Sequence, residues 1–246
     1  MSREHWEKES RNWAAWARRP EFDAYWKYSA AFFELVPPPA NRTLEVGCGE
    51  GRVSRDLAAR GHHVTAVDTS PTLIRLAHDA DSKSAYLQSD AAALPFVAGS
   101  FDLVVFYNSL MDFDDMEGGV REAARVLRDG GALCVCITHP MTDAGTFTSR
   151  EPDSPFVIEG SYLGERRWME IETERDGLQM HFKGWAYSLE AYFIALERAG
   201  FMIQAVREPR LPDDTVNRFP SEDRWLRIPV FLMFRAARLR AKAYFP

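Results

Sequence analysis

Cysteine is scarce in this chain, with three among 246 residues. An odd number cannot be fully paired in disulfides. Cys134 and Cys136 fall on one face of a single strand pattern and read as small buried hydrophobes, so a reducing, cytoplasmic setting is expected. Long apolar runs are also missing. No uncharged apolar stretch reaches the roughly 18 residues that a membrane span needs, so no membrane partner is expected. The opening residues, Ser2-Arg3-Glu4-His5-Trp6-Glu7-Lys8, are charged and contain no apolar segment, and no signal peptide is expected there. Positive charge is not in excess either. A net charge of −6 argues against nucleic acid, because affinity for phosphates rests on clustered Lys and Arg. The one basic cluster, Arg235, Arg238, Arg240 and Lys242, reads as the solvated end of a C-terminal helix. Internal repeats and low-complexity segments are absent.

Glycine is concentrated where it matters. The stretch Leu44-Glu45-Val46-Gly47-Cys48-Gly49-Glu50-Gly51-Arg52 sets a carboxylate on a short apolar strand, then three glycines at alternate positions, then a helical pattern from Val53. Such glycines let backbone approach a ligand with no Cβ in the way and leave helix N-terminal amides facing it. A dinucleotide fingerprint G-x-G-x-x-G would need its third glycine at position 52, where Arg stands. Downstream, Val64-Thr65-Ala66-Val67-Asp68 is a β-branched run ending in an acid that can accept both ribose hydroxyls. Leu87-Gln88-Ser89-Asp90-Ala91 follows, then the buried-strand pattern Phe101 to Tyr107, a helix over 117–127, Asp129-Gly130-Gly131 and a strand from Ala132 to Thr138.

These motifs resemble the class I S-adenosylmethionine-dependent methyltransferases. The first matches their E-x-G-x-G-x-G turn, and the later order F-D-L-V-V, helix, R-V-L-R-x-G-G, strand matches as well; residues 40–140 carry the likeness. The resemblance implies an α/β, Rossmann-like seven-stranded sheet in the order 3-2-1-4-5-7-6 with its last strand antiparallel. It also implies S-adenosyl-L-methionine as cofactor. Cofactor contacts are expected from Tyr28, Glu45, Gly47, Cys48, Gly49, Gly51, Asp68, Thr69, Ser70, Asp90, Ala91, Tyr107 and Asn108, with Asp90 beside the adenine amino group.

One domain spanning 1–246 is expected. Residues 1–38 form an N-terminal helical lid (helices 2–19 and 21–35, stopped by Pro37-Pro38-Pro39). Residues 40–138 form the cofactor-binding core, 139–184 a substrate-covering insertion, and 185–246 the C-terminal part of the sheet. Inside the insertion, Val157-Ile158, Arg166 to Glu174 and Leu178 to Lys183 read as short strands, with Asp176-Gly177 as a hairpin turn. A helix over 188–199 stops at Gly200. A sixth strand runs from Phe201 to Glu208 and a last one from Ile228 to Phe234.

Methyl transfer from a sulfonium needs alignment more than acid–base help; a base is required only for an acceptor that arrives protonated. Ligands in such sheets sit beyond the carboxyl ends of the strands, so His139, Asp112 and Tyr107 are catalytic candidates, with His181 from the insertion. His139 is the expected general base, alternatively a capping residue. Asp112, Asp114 and Asp115 alternatively cap the following helix. His62 and His63 are expected at the surface. Aromatic side chains can face a sulfonium, and Tyr25 and Tyr28 are the candidates for this.

The aromatics of the lid, together with Phe147, Phe156, Tyr162, Trp168, Phe182 and Trp185, suggest a small acceptor that is apolar or planar; alternatively they form the insertion's own core. Arg166 and Arg167 read as solvated, or else meet a substrate carboxylate. No metal is expected, and the assembly is a monomer or homodimer. The expected function is therefore methylation of a small molecule on O, N or C. The alternatives are a nicotinamide-dependent oxidoreductase and a non-catalytic S-adenosylmethionine-binding regulatory domain.

Overall fold

The computed structural model describes residues 2–81, 83–164, 166–213, 215 and 220–239. Two N-terminal helices, α1 (Ser2–Ala17) and α2 (Tyr25–Leu35), precede an alternation of strand and helix: β1 (Thr43–Val46), α3 (Arg52–Ala59), β2 (Val64–Asp68), α4 (Pro71–Ala80), β3 (Ala85–Gln88), β4 (Phe101–Tyr107), a 3-10 turn over Leu110–Asp112, α5 (Met116–Val126) and β5 (Leu127–Thr138). Next come α6 (Pro140–Asp143), β6 (Gly145–Phe147), β7 (Phe156–Ile158), β8 (Arg167–Arg175), β9 (Leu178–Ala186), α7 (Leu189–Arg198), β10 (Phe201–Arg207), a 3-10 segment Pro220–Leu226 and β11 (Phe231–Arg238).

Local chemistry sets several boundaries. The Ser70 hydroxyl accepts from Leu73 N at 3.1 Å with Pro71 at the first helical position, so α4 starts there. Asp115 caps α5 through Gly118 N at 2.8 Å, and Ser188 caps α7 through Ala191 N at 3.2 Å.

The main sheet has seven strands in the order β10-β11-β5-β4-β1-β2-β3, with β11 antiparallel to both β10 and β5 and the others parallel. Counting β10 and β11 as sixth and seventh, this is the expected 3-2-1-4-5-7-6 arrangement. All four residues of β1 are buried, as a strand covered on both faces requires. One face packs Phe106, Val120, Tyr192 and Phe234 beneath α5 and α7, and the other packs Phe32, Leu57, Tyr107 and Met233 beneath α2 and α3.

Several expectations change. Strand β5 begins at Leu127 rather than Ala132, because Leu127 already pairs with Phe101; the register then shifts across the Gly130 turn (φ +73°) and pairing resumes with Ala132 opposite Leu103. The last strand sits three residues later than expected, so Arg235 and Arg238 are strand residues and not helical ones. Arg240 and Lys242 lie outside the described residues. His62 is 6% exposed, with Nδ1 3.0 Å from Thr43 Oγ1, so it is a buried partner of β1 and not a surface residue. His63 is exposed.

The insertion forms two hairpins, β6–β7 and β8–β9. Asp176 (φ +48°) and Gly177 (φ +75°) make the second turn, as a two-residue turn with both φ positive favours. Its aromatics divide between two tasks. Phe147 packs locally on Phe156 and Trp225 at 5.1 and 5.0 Å between ring centres. Phe182 instead meets Trp13 and Trp16 of α1 at 6.1 and 5.9 Å. Arg166 is exposed, as expected, and Arg167 is half-buried. Arg166 lies 4.0 Å over the Trp185 ring and donates to Asp114 O at 2.8 Å, and Arg167 donates to the main-chain oxygens of Asp143 and Glu159.

Phe32 is fully buried, with its ring edge-on to Tyr107 at 4.9 Å. Phe32→Ala is expected to lower unfolding free energy by about 3–5 kcal/mol, read as a shift of the urea midpoint with unchanged slope.

Candidate functional site

The corner after β1 is built on three glycines in the left-handed region, Gly47 (φ +76°), Gly49 (φ +55°) and Gly51 (φ +84°). A Cβ on Gly47 would overlap the Ser109 side chain. One on Gly49 would lie 2.9 Å from Trp13 Nε1, and one on Gly51 the same distance from Ala77 Cβ. Glycine is therefore required by both conformation and space.

Asp68 at the end of β2 ties the corner down. Its Oδ2 accepts from Gly49 N at 2.8 Å and its Oδ1 from Ser70 N at 2.9 Å. Burial raises its pKa despite those bonds. Glu45 at the end of β1 is fully enclosed and accepts from the Ser54 hydroxyl. Burial pushes its carboxyl up to about 8, with Ser54 and Arg52 pulling the other way. Burial, followed by the charges of Asp68 and Glu45, raises the Cys48 thiol well above its usual range, so it is an inert wall.

Helix α1 covers the corner. Ser2, Arg3, Trp6 and Trp13 line the same cleft as the glycines. Glu7 fastens the helix to the start of α4, accepting from Ser70 Oγ at 2.5 Å, Thr72 Oγ1 at 2.6 Å and Thr72 N at 3.2 Å. Although burial opposes it, these bonds hold the Glu7 carboxyl below its ordinary pKa. Arg18 joins Glu50 at 2.9 Å, and Ser2 N reaches Asp114 at 3.1 Å. Arg52 lines the cleft beneath this cover. It pairs with Asp23 at 2.8 Å, with its guanidinium 4.4 Å from the Tyr25 ring and 5.0 Å from that of Trp13.

The far wall comes from the tips of β3 and β4: Ser89 to Ala92, and Tyr107 to Ser109 with Asp112 and Phe113. The Tyr107 hydroxyl is buried with no partner among the described residues. Asn108 takes a positive φ of 49°, which turns the chain into the 3-10 segment that presents Asp112. Counted out to its mouth, and with the open solvent there included, the cleft's empty volume is about 1100 Å³.

Of the expected site residues, Glu45, Gly47, Cys48, Gly49, Asp68, Thr69, Asp90, Ala91, Tyr107, Asn108 and Asp112 line this one cleft. Gly51 and Ser70 stand behind it, as the caps of α3 and α4. Tyr28 does not reach it, because its ring packs on Phe231 at 5.3 Å. The Tyr25 hydroxyl is taken by Asp56. His139 also lies away from the cleft. Its Nδ1 caps Met141 N at 3.0 Å and its Nε2 meets Glu208 at 3.0 Å, so both ring nitrogens are occupied. Burial lowers its pKa, against the pull of Glu208. This is the capping alternative, not the free base. His181 sits on β9 with Nδ1 3.5 Å from Glu172 and does not line the cleft. Asp115 is the cap of α5, while Asp112 caps nothing. Sequence reasoning missed Ser2, Arg3, Arg52 and Phe113 as lining residues. Trp6 and Trp13, seven apart on one helical face, were the readable sign that α1 covers the site.

The methyltransferase-domain family model matches residues 44–135. That segment is similar to methyltransferase domains. Its β1–α3 corner, Asp68 and the tip of β4 are the parts that form the cleft. Two curated relatives illustrate the likeness. A demethylmenaquinone methyltransferase from Tropheryma whipplei is 32% identical over 121 residues, which cover 48% of this chain and 50% of the relative. A malonyl-[acyl-carrier protein] O-methyltransferase from Enterobacter lignolyticus is 36% identical over 92 residues, 37% of each. The chain thus spans half or less of the length of these relatives. Among solved structures, an S-adenosylmethionine dependent methyltransferase from Mesorhizobium loti superposes with a TM-score of 0.71 at 24% identity, covering 89% of this chain and 99% of that one. The shared fold therefore extends well beyond residues 44–135.

Because the folded-state pKa of Glu45 lies above its unfolded value, its contribution to stability is complete at low pH and is lost as pH rises through about 8. Glu45→Gln is expected to flatten the decline of unfolding free energy between about pH 5 and pH 8, measured by urea titration across that range.

Proposed function

We propose that this chain is an S-adenosylmethionine-dependent methyltransferase that works on a small-molecule acceptor in the cleft under α1. The observation that carries the reading is the corner itself. Three left-handed glycines clear the floor, and Asp68 keeps one lone pair on each oxygen after accepting from Gly49 and Ser70. A vicinal diol fits those two acceptors, as a ribose would supply. Asp90, whose Oδ1 already accepts from Ala92 N at 2.8 Å, fixes the β3 tip where a base would lie.

When bound, the sulfonium supplies an electrophilic methyl group. The chain supplies position, exclusion of water by Trp6 and Trp13, and a carboxyl at Asp112 on the acceptor side. Asp112, and not His139, is the group that can take a proton there. Apolar rings at Tyr107 and Phe113 suit a partly planar acceptor. The two curated relatives are named for different acceptors, so their names alone do not choose among O, N and C. No helix among the described residues is long and apolar enough to cross a membrane, and no cluster of three metal-ligating side chains occurs among them.

Against a nicotinamide cofactor stands Arg52. Its side chain occupies the third fingerprint position and is bound to Asp23, where a pyrophosphate would need close backbone approach. Against a purely regulatory domain stands the open carboxyl of Asp112 beside the cofactor floor.

Titration calorimetry is expected to show binding of S-adenosylhomocysteine and none of NADH. Asp68→Asn is expected to weaken that binding by about 1.5–3 kcal/mol, the scale of hydrogen bonds to a charged group. An unchanged dissociation constant, or tight NADH binding, would reject the reading.

A further inference from the structure

Near Asp112 the fold holds polar groups with no hydrogen-bond partner among the described residues. Asp112 opens onto the cleft, and no donor among the described residues reaches its carboxyl oxygens. Opposite it stands Gly184 of β9, where a Cβ would come 2.8 Å from Asp112 Oδ1. Deeper in, Asp143 of α6 is 8% exposed, and its carboxyl also lacks a donor. The nearby cation, Arg167, spends its nitrogens on the main-chain oxygens of Asp143 and Glu159. Tyr192 of α7 is 1% exposed, and its hydroxyl has no partner.

These groups feel one another without touching. The charges of Asp143, Tyr187 and Asp112 all act on the Tyr192 hydroxyl, and those of Asp68 and Asp143 act on Asp112. Burial first, and these acids second, drive Asp112 well above the carboxylate range. Burial takes Asp143 to about 7 against the opposing charge of Arg167. Asp112 lines the cleft, while Asp143 and Tyr192 do not line it and interact with Asp112 only by charge. Buried polar groups left without partners are costly.

The sign of that ligand follows from the cleft. Asp112, Asp114 and Asp115 line one end and Glu45, Asp68 and Asp90 the other, against Arg3 and Arg52, the latter already paired. Aromatic faces at Trp6, Trp13, Tyr107 and Phe113 complete the lining. An anionic acceptor would be repelled here, whereas a cation gains from both the acids and the rings.

We propose that the acceptor is a primary or secondary amine that arrives as its ammonium and docks its nitrogen against Asp112, with the buried Asp143 carboxyl and Tyr192 hydroxyl near Asp112 but outside the cleft lining. This rests on the methyltransferase reading above and adds the acceptor class to it. The charge of the docked ammonium favours the ionised form of Asp112 against the effect of burial. As carboxylate it takes one N–H proton and becomes the acid, and the nitrogen keeps the electron pair. That pair forms the bond to the methyl carbon while the carbon–sulfur pair returns to sulfur, leaving a thioether and a methylated ammonium. Asp112 is the catalytic residue in this scheme. Asp143 and Tyr192 are positioning residues.

The test uses the full chain with tritiated-methyl S-adenosylmethionine and matched acceptor sets, benzylic and alkyl amines beside the corresponding alcohols and carboxylates. Titration with S-adenosylhomocysteine runs in parallel. Amines are expected to be labelled at least about tenfold faster than their alcohols. Asp112→Asn is expected to lower kcat for amines by about tenfold or more, while Asp143→Asn raises the amine KM and leaves S-adenosylhomocysteine affinity unchanged. Equal or preferential labelling of alcohols or carboxylates by a wild-type protein that binds S-adenosylhomocysteine overturns the amine assignment and leaves the methyltransferase reading standing. So does an Asp143→Asn variant with an unaltered amine KM. Failure of the wild type to bind S-adenosylhomocysteine removes both. The wild-type preference decides the matter even where a variant does not fold.

Discussion

The carboxylate of Asp68 is the tie on which the site depends. It is the last residue of β2, yet its oxygens hold the amide of Gly49 in the turn after β1 and that of Ser70 at the head of α4. Two loops from neighbouring strands are thereby fixed to each other through one buried side chain. Hydrogen bonds to a charged group in a buried setting are worth more than neutral ones. Without this tie, three left-handed glycines at alternate positions would have little to hold them, since glycine gives up more backbone freedom on folding than any other residue. The same two bonds leave the outward lone pairs of Asp68 facing the cleft, so one group both builds the floor and faces the ligand.

Around that tie the protein concentrates carboxyls where water is scarce. Glu45, Asp68, Asp112 and Asp143 all have their pKa raised, with burial as the leading cause in each. A cluster of acids pushed toward neutrality makes a weak case for fold stability and a stronger one for a binding site. Glu7 contrasts with them. It is an acid that hydrogen bonds hold below its ordinary pKa, and it joins the cover to α4.

Most of the sheet was legible in the sequence because its signals are local. The β-branched run ending at Asp68, the glycine corner and the Asp-Gly hairpin each name their own geometry through backbone preference. Strand ends were less legible: β5 and β11 are set by pairing with each other, residue by residue from Thr138↔Phe231 to Ala132↔Ala237, which no local pattern reports. The cofactor side of the cleft was readable for the same reason that the corner was. The acceptor side was not. His139 looked like a base at a strand tip, but Met141 N and Glu208, two and 69 residues away in sequence, occupy both its nitrogens. Asp143 and Tyr192 gave no signal, because the charges that link them to Asp112 act across segments distant in sequence. Tyr28 was drawn inward by Phe231 in the same way.

The cover deserves one last consequence. Helix α1 is pinned near its middle by Glu7, near its far end by Arg18 and at its start by Ser2, with Trp13 lying against Gly49. A nucleoside seated on the glycines cannot slip out past that ring while all three fasteners hold. Its residence time is then set by how often 16 residues of helix peel away together, a local opening whose frequency falls exponentially with the free energy of the fasteners. Spent thioether and fresh sulfonium would exchange only during such openings, so the pace of turnover can be governed at the lid rather than at the reacting carbon.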